Sequence, residues 1–194
     1  MKNTPINLLV AVTGASGALY AKRLLQKLEG LRGQAERIAL IFTESGKKVW
    51  QYELGEDPKK LPFIQYDNND FFTPPASGSG RYNAMAVIPC TMGTLASIAH
   101  GLADDLVARA ADVMLKERRK LIIVPREMPF NLIHIRNMEQ IVLAGGIICP
   151  ANPSFYSGIT TLEEAVDSVV NKVLHLAGFQ FDSFHWAEES PEGE

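Results

Sequence analysis

The sequence predicts an α/β fold, a Rossmann-like three-layer sandwich with a mostly parallel sheet and helices on both faces. Two observations support this prediction. Short apolar runs that end in turn residues alternate along the chain with longer segments in which apolar residues recur at helical spacing, and this alternation is typical of a parallel sheet with helical crossovers. The first apolar run also leads through a glycine turn into a helix, which is the opening unit of many nucleotide-binding domains.

The composition is that of a globular protein of ordinary size. Of the 194 residues, 46% are hydrophobic, enough for one sizeable core. We therefore expect a single domain over residues 1–178 and a C-terminal tail over residues 179–194. The aromatic residues of the tail are expected to pack on the protein, and the acidic residues that follow are expected to be poorly ordered. The net charge of −3 argues against a general nucleic-acid binder.

The N-terminus and the cysteines both favour a cytoplasmic location. The chain begins without a signal-peptide pattern, and no apolar stretch approaches the length of a membrane span. Cys90 and Cys149 each end an apolar run, so a disulfide framework is not expected. We therefore predict a cytoplasmic protein from a reducing compartment.

The opening unit occupies residues 7–28. Leu8–Val12 is a short apolar run of the kind that a buried parallel strand gives. The turn TGASG follows at 13–17, and helical spacing then relates Ala18, Ala21, Leu24, Leu25 and Leu28. Backbone N–H groups at such a helix start favour an anion. A phosphate site and a tight turn without a ligand both remain open, because G-x-x-G alone is a weak signal.

The following segments continue the alternation of strands and helices. A second strand is predicted over Ile38–Phe42 and a short helix from Ser45 onward, while the proline- and glycine-rich stretch Pro58–Gly80 predicts one long loop. Thr161 and Glu164 have the spacing of a capping box. The remaining predicted strands are Ala84–Pro89, Leu121–Val124 and Ile147–Cys149, and the remaining helices begin at Leu95, Asp104, Asn131 and Thr161.

Ligands of parallel sheets bind outside the carboxyl ends of the strands. The loops at that edge are predicted to start at Thr13, Thr43, Cys90, Pro125 and Pro150. The Cys90 loop repeats the pattern of the first loop, and Thr91, Gly93 and Thr94 offer hydroxyl and N–H groups to a phosphate or a polar ring. Ordinary N-capping by Thr91 or Thr94 explains the same residues equally well.

Arg126 and Glu127 form a charged pair at another strand exit, between Pro125 and Pro129. An arginine can bind phosphate through two parallel hydrogen bonds, and a glutamate with a tuned pKa can carry a proton. A surface ion pair is the alternative interpretation. The chain has no Cys/His cluster at metal-ligand spacing, so no metal site is predicted.

Six stretches occur in a characteristic order along almost the whole chain. They are TGASGA at 13–18, PPASGS at 74–79, PCTMGTLASIAHG at 89–101, RAADVMLKERRKLIIVPRE at 109–127, IHIRNM at 133–138 and P-x-x-P-x-FY at 150–156. Each stretch alone is a weak signal, but their order and spacing are specific. Together they resemble the UbiX/Pad-type flavin prenyltransferases.

This resemblance implies an activity and a cofactor. Members of the family bind FMN and transfer a dimethylallyl group from dimethylallyl phosphate to the reduced flavin. The first bond forms at the central-ring nitrogen, and closure onto the dimethylbenzene ring follows. The product, prenylated FMN, is the cofactor of UbiD-type decarboxylases, and no metal is needed. Ubiquinone biosynthesis and aromatic-acid metabolism both remain open as the pathway served.

Matching the family motifs position by position also implies three groups of site residues. The implied catalytic residues are Ser16, Glu53, Lys116 and Glu127, with Ser16 passing a proton at the reacting nitrogen and the acidic pair assisting. The implied flavin contacts are Gly14, Ala15, Ser16, Thr43, Thr91, Met92, Gly93, Thr94 and Arg126. The implied contacts to dimethylallyl phosphate are Phe71, Lys116, Arg126, Tyr156 and Lys172. An aromatic face shelters an allylic cation, and fixed cations stabilise the departing phosphate.

The chain departs from the family pattern at two positions. Lys172 stands where the family usually has arginine, and Ser157-Gly158-Ile159 stands where relatives commonly carry a histidine and a proline. Both departures bear on which prenyl donor is used, because a point charge does not reproduce the planar fork of arginine.

Two alternative functions share this fold. An FMN-dependent cysteine decarboxylase needs a P-x-M-N stretch, and Pro89–Met92 lacks the asparagine. A non-catalytic flavin- or NAD-binding module is the second alternative, in which Glu44 at the end of the second strand would bind a ribose.

A homo-oligomer is also expected. The apolar stretch 95–103 and the aromatic tail exceed what one small domain must bury. The family assembles as trimers grouped into dodecamers, with the flavin between subunits. The resemblance therefore implies that residues of one site come from different copies of the chain.

Overall fold

The structure, a computed structural model, describes residues 5–156 and 158–183. The strands are Ile6–Val12 (β1), Ala35–Phe42 (β2), Ile64–Asp67 (β3), Ala84–Cys90 (β4), Lys120–Pro125 (β5) and Ile147–Ile148 (β6). The α-helices in these residues are Ala18–Gly30 (α1), Glu44–Leu54 (α2), Met92–Ala99 (α3), Leu106–Lys116 (α4), Leu132–Leu143 (α5) and Leu162–Ala177 (α6). The strands form one six-stranded parallel sheet in the order β3-β2-β1-β4-β5-β6, which confirms the predicted fold.

The two faces of the sheet bury alternate residues of the same strands. In β1, Leu8, Val10 and Val12 pack in the core shared with α1 and α6. Leu9 and Ala11 pack in the core shared with α3 and α4. All five are at most 1% exposed, and burial on both faces explains why the strand is a continuous apolar run. Burying each such leucine contributes about 2 kcal/mol.

The sheet order sets the loops of the carboxyl edge side by side. β1 lies at the centre, where Leu9 pairs with Ala39 of β2 and Met85 of β4. The loops that follow these three strands are therefore neighbours, and strands are about 5 Å apart. None of the helices described here combines the length and apolar character that a membrane span requires.

Several predicted bounds differ from the structure: β2 begins three residues earlier than predicted, at Ala35, and two further differences concern predicted loops. The stretch Pro58–Gly80 is not one loop, because Ile64–Asp67 forms β3 and pairs with β2. This strand is short and mostly exposed at the sheet edge, so its apolar pattern is weak. Helix α3 starts at Met92 rather than Leu95, which makes Met92, Gly93 and Thr94 its first turn instead of a loop.

The C-terminal helix has the predicted ends. Thr161 and Glu164 form the capping box at the start of α6, and Gly178 ends the helix with a left-handed φ of 113°. Phe179 is buried in the core, and the Phe181 ring stacks on His175 at 4.4 Å. The start of the predicted tail thus packs on the domain, while Phe184, Trp186 and the acidic residues beyond lie outside the described residues. The division at residue 178 stays a prediction.

Candidate active site

The five predicted loops meet at the carboxyl edge, and backbone hydrogen bonds join each loop to the next strand end. The Thr43 N–H donates to the Val12 carbonyl at 3.0 Å, and the Thr13 N–H donates to the Pro89 carbonyl at 3.3 Å. Beyond β4 in the sheet, the Arg126 N–H donates to the Cys90 carbonyl at 3.3 Å and the Ala151 N–H donates to the Pro125 carbonyl at 3.1 Å. These backbone bonds alone fix the relative positions of all five loops.

Thr13 joins the first and third of these loops through its side chain. Its hydroxyl donates to the Pro89 carbonyl at 2.8 Å and accepts from Thr91 N–H at 2.9 Å, and the residue is 1% exposed. The sequence indicates Thr13 only as the start of a loop. The signal in the sequence is a hydroxyl residue directly after a buried strand. Such a buried polar group needs hydrogen-bond partners, which neighbouring loops supply.

Helix α2 lies directly against the end of β1. A Cβ at Gly14 would come within 2.5 Å of the Ser45 side chain, and one at Gly46 would overlap the Val12 carbonyl oxygen. Only glycine permits this approach at either position. Thr43 caps α2, because its hydroxyl accepts from Gly46 N–H at 3.0 Å.

Helix α3 begins in the same way at this edge, although it packs on the other face of the sheet. The Thr91 hydroxyl accepts from Thr94 N–H at 3.1 Å and donates to the Thr94 hydroxyl at 2.9 Å. The structure therefore shows the capping role that the sequence left open for Thr91. Because the first turn of a helix has more N–H groups than one cap can bind, the starts of α2 and α3 both present donors at this edge.

Glu53 occupies the start of α1, where the sequence left a phosphate site open. Its carboxylate accepts from Gly17 N–H at 2.9 and 3.1 Å and from Ala18 N–H at 2.7 Å. The anion at this helix start is therefore supplied by the chain itself. Glu53 reaches the start of α1 because α2 begins directly after β2 and packs in the same core as α1, a path that spacing along the sequence did not indicate.

Ser16 and Arg126 complete a cluster with Glu53. The Arg126 Nε donates to the Ser16 carbonyl at 2.9 Å. Burial raises the pKa of Glu53, but hydrogen bonds from Ser16, Gly17 and Ala18 and the charge of Arg126 together hold it below its ordinary value. Glu53 is therefore ionised at neutral pH and bonded to the Ser16 side chain. The structure thus brings together Ser16, Glu53 and Arg126, which the resemblance placed in one site.

Tyr20 is a further residue that sequence reasoning missed. Its ring lies beside Gly17, 3.0 Å from the position of an added Cβ. Its hydroxyl donates to the Ala151 carbonyl at 3.4 Å, which links α1 to the loop after β6. Burial raises the pKa of this phenol, so Tyr20 is protonated at neutral pH.

The other predicted residues of this edge are more dispersed. Glu127 is exposed, and its carboxylate accepts from Met128 N–H at 3.0 Å rather than joining Glu53. Phe71 follows the edge strand β3 and is 41% exposed, and Tyr156 follows β6 at the opposite side and is 75% exposed. Lys172 lies on the exposed side of α6, close enough to Cys149 to oppose the rise that burial causes in its pKa.

Lys116 lies at the other edge of the sheet. It ends α4 four residues before Lys120, which starts β5 and pairs with Ala84 at the start of β4. Four residues reach at most about 14 Å, so Lys116 is confined to the amino edge. One chain alone therefore does not bring Lys116 to Ser16, Glu53 and Arg126. In the described part of the chain, no His, Cys, Asp and Glu side chains are grouped to hold a metal ion.

Comparisons with known proteins show the family of this chain. Residues 1–176 match the Flavoprotein family. The chain is 45% identical over 182 residues to flavin prenyltransferase UbiX of Methanocaldococcus jannaschii, with 92% of this chain and 97% of that protein covered. UbiX of Pseudomonas aeruginosa is 38% identical over 204 residues, with 95% and 96% covered. The chain belongs to the UbiX family of flavin prenyltransferases.

Solved structures of UbiX proteins have the same fold. The crystal structure of AnUbiX (PadA1) in complex with FMN and dimethylallyl pyrophosphate superimposes with a TM-score of 0.85 at 36% identity, covering 94% of this chain and 100% of that one. The dodecameric FMN-dependent UbiX-like decarboxylase of Escherichia coli O157:H7 gives a TM-score of 0.84 at 37% identity, covering 92% and 100%.

The cysteine decarboxylases are more distant from this chain than the UbiX proteins are. Peptidyl-cysteine decarboxylase EpiD superimposes with a TM-score of 0.59 at 18% identity, a likeness that extends to the fold alone.

Glu44 is the residue that would bind a ribose in the NAD-binding alternative. Its carboxylate instead pairs with the Lys47 ammonium at 2.5 Å.

Proposed function

We propose that this chain transfers a dimethylallyl group from dimethylallyl phosphate to reduced FMN and so makes prenylated FMN. The observation that carries the proposal is the Ser16, Glu53 and Arg126 cluster, which lies at the carboxyl edge of a chain that matches a UbiX prenyltransferase over 92% of its length. The chain therefore combines membership of a prenyltransferase family with a hydrogen-bonded cluster that can transfer protons.

The donors at the carboxyl edge fit a flavin mononucleotide. The starts of α2 and α3 present N–H groups together with the hydroxyls of Thr43, Thr91 and Thr94, which suit a phosphate and a polar ring. The proposed flavin contacts are Gly14, Ala15, Ser16, Thr43, Thr91, Met92, Gly93, Thr94 and Arg126. When bound, reduced FMN supplies the nucleophilic ring positions to which the five-carbon unit is joined.

Proton handling is assigned to Ser16 and Glu53. Glu53 is ionised and fixed by two backbone N–H groups, so its bond to Ser16 makes the serine hydroxyl a better relay for a proton lost near the ring nitrogen. Arg126 holds the backbone of Ser16 in place. Glu127 is proposed as the second acid of the pair.

We propose that cationic side chains and a phenol bind the departing phosphate. These side chains are Lys116, Arg126, Tyr156 and Lys172, and Phe71 is proposed to line the prenyl site. Breaking the allylic carbon–oxygen bond leaves charge on the phosphate, and fixed cations stabilise it. Since Lys116 lies at the amino edge of its own chain, we propose that it serves the site of another copy.

A homo-oligomer is supported by an apolar surface that one chain leaves exposed. Helix α5 and the loop before it expose large apolar side chains over more than two helical turns: Met128, Phe130, Leu132, Ile133, Ile135, Val142 and Leu143. A surface of this kind is typical of an interface. By analogy with the dodecameric E. coli protein, we propose a dodecamer.

The activity is tested with the intact oligomer. Incubation of the protein with reduced FMN and dimethylallyl phosphate, without oxygen, should yield a flavin heavier by one C5H8 unit. A parallel reaction with dimethylallyl pyrophosphate tests the donor, which matters because Lys172 replaces the usual arginine. Recovery of unchanged FMN from both reactions would contradict the proposed function.

The product is proposed to serve a UbiD-type decarboxylase in the cytoplasm. Addition of the extracted product to an apo-decarboxylase of that type should restore carbon dioxide release, whereas unprenylated FMN should not. Fractionation of the source cell with the activity in the membrane or exported fraction would contradict the cytoplasmic location.

A further inference from the structure

A separate group of fixed contacts lies at the amino edge, around Arg119. Its guanidinium donates to the carbonyl oxygens of Gly78 at 2.5 Å, Gly80 at 2.8 Å and Tyr82 at 3.0 Å. One planar cation thus binds three carbonyls of a single segment, residues 77–82, which the compact ammonium of a lysine does not reproduce. The Arg119 side chain is only 22% exposed, so these bonds are largely shielded from water.

The end of α4 directs Arg119 toward this segment. Arg118 has a positive φ of 53°, a left-handed conformation that stops a helix. The Arg119 N–H then donates back to the Met114 carbonyl at 2.8 Å. The chain thereby passes from α4 into β5 in a few residues, with the guanidinium bonded to residues 77–82.

Lys116 rests on the same segment. Its Nζ lies 2.6 Å from the Glu117 carboxylate. A Cβ at Gly78 would lie 2.9 Å from the Lys116 Nζ and would overlap the Glu117 carboxylate. The ion pair therefore occupies space that the missing side chain of Gly78 leaves open. Gly78 is bonded to Arg119 through its carbonyl and packed against Lys116 at its Cα.

We propose that Arg119 is a positioning residue for Lys116, because it holds the 77–82 segment on which the ammonium rests. This inference rests on the proposed role of Lys116 toward the donor phosphate. Arg119 itself is bonded to backbone carbonyls and has no need to touch the donor. Release of the segment would let a flexible lysine side chain sample many positions, and a catalytic charge acts well only when it is held in place.

Kinetics of the intact oligomer test this role. Arg119→Gln should lower kcat/KM for dimethylallyl phosphate about tenfold while leaving the Kd for FMN unchanged. Arg119→Lys should behave like Arg119→Gln, because the charge remains but the three carbonyl bonds do not. The matched control is Arg81→Gln, on the same segment but with its side chain 78% exposed, which should have no effect.

A double substitution separates positioning from general loss of structure. In a Lys116→Ala background, Arg119→Gln should cause no further loss, since the residue it positions is gone. An additive loss, a parallel loss of FMN binding, or full activity of Arg119→Gln in a wild-type background would overturn the inference.

Hydrogen exchange tests the same contacts without turnover. Amides of residues 77–82 should exchange faster in Arg119→Gln, while the carboxyl edge and the Arg81→Gln control stay as in the wild type. Unchanged exchange overturns the role of Arg119 whether or not the protein is active. A wild-type protein that exchanges as expected but transfers no prenyl group contradicts the proposed function instead.

Discussion

The two edges of the sheet differ in how completely one chain builds them. At the carboxyl edge, Ser16, Glu53 and Arg126 come from three separate parts of the chain, and Ser16 is bonded to both of the others within the same chain. At the amino edge, Lys116 is fixed by its own neighbours but lies far from that cluster. A single chain therefore builds the cluster of Ser16, Glu53 and Arg126 by itself, whereas the proposed role of Lys116 requires a second copy of the chain.

The largest expected effect breaks the carboxyl edge itself. Gly46→Ala would force a methyl group into the Val12 carbonyl oxygen, so α2 must move away from β1 and take Glu53 with it. We expect a loss of about 2–4 kcal/mol in the free energy of unfolding, together with loss of FMN binding. Urea unfolding measures the first and a flavin titration the second.

The control for this substitution is Gly33→Ala, where an added Cβ meets nothing within 4 Å. It should change the free energy of unfolding by less than about 0.5 kcal/mol. Equal stability of the two variants would show that the contact between α2 and β1 adjusts without cost.

The next effect separates chemistry from binding at the carboxyl edge. Glu53→Gln keeps the side-chain shape but removes the charge that faces Ser16 and the start of α1. We expect a fall in kcat of about 10²–10³ with FMN retained, measured by anaerobic product formation and flavin titration. The matched control is Glu56→Gln, which affects only the ion pair with Lys22. A Glu53→Gln enzyme with wild-type activity would show that Glu53 has no role in the reaction.

Mixing two inactive variants tests whether Lys116 and Glu53 of one site come from different copies of the chain. Lys116→Ala should reduce turnover about 10²-fold and retain FMN, because the proposed flavin contacts lie at the other edge. If each site takes Lys116 from another copy, oligomers reassembled from Lys116→Ala and Glu53→Gln chains should regain part of the activity, because some sites then contain both native residues. Mixtures that stay as inactive as either variant alone would place all of these residues in one chain.

The carboxyl edge was predictable because a parallel sheet collects every strand end on one side. Strand ends at Thr13, Thr43, Cys90, Pro125 and Pro150 therefore became neighbours as expected. The family resemblance placed Ser16 and Glu53 in one site but did not predict their contact, because that contact depends on the direction of α2. Strand β3 was missed because exposed edge residues lack the apolar run that marks a buried strand.

The smallest effect is the pH dependence of the contact at the start of α1. The fold lowers the pKa of Glu53 below its ordinary value, so the stabilisation is present above the unfolded pKa and is lost as the pH falls through the folded pKa. The free energy of unfolding of the wild type should exceed that of Glu53→Gln by less than about 1 kcal/mol at pH 7, since solvent screens this exposed group. The difference should shrink as the pH is lowered from 5 toward 3, whereas a constant difference across that range would attribute it to shape rather than charge.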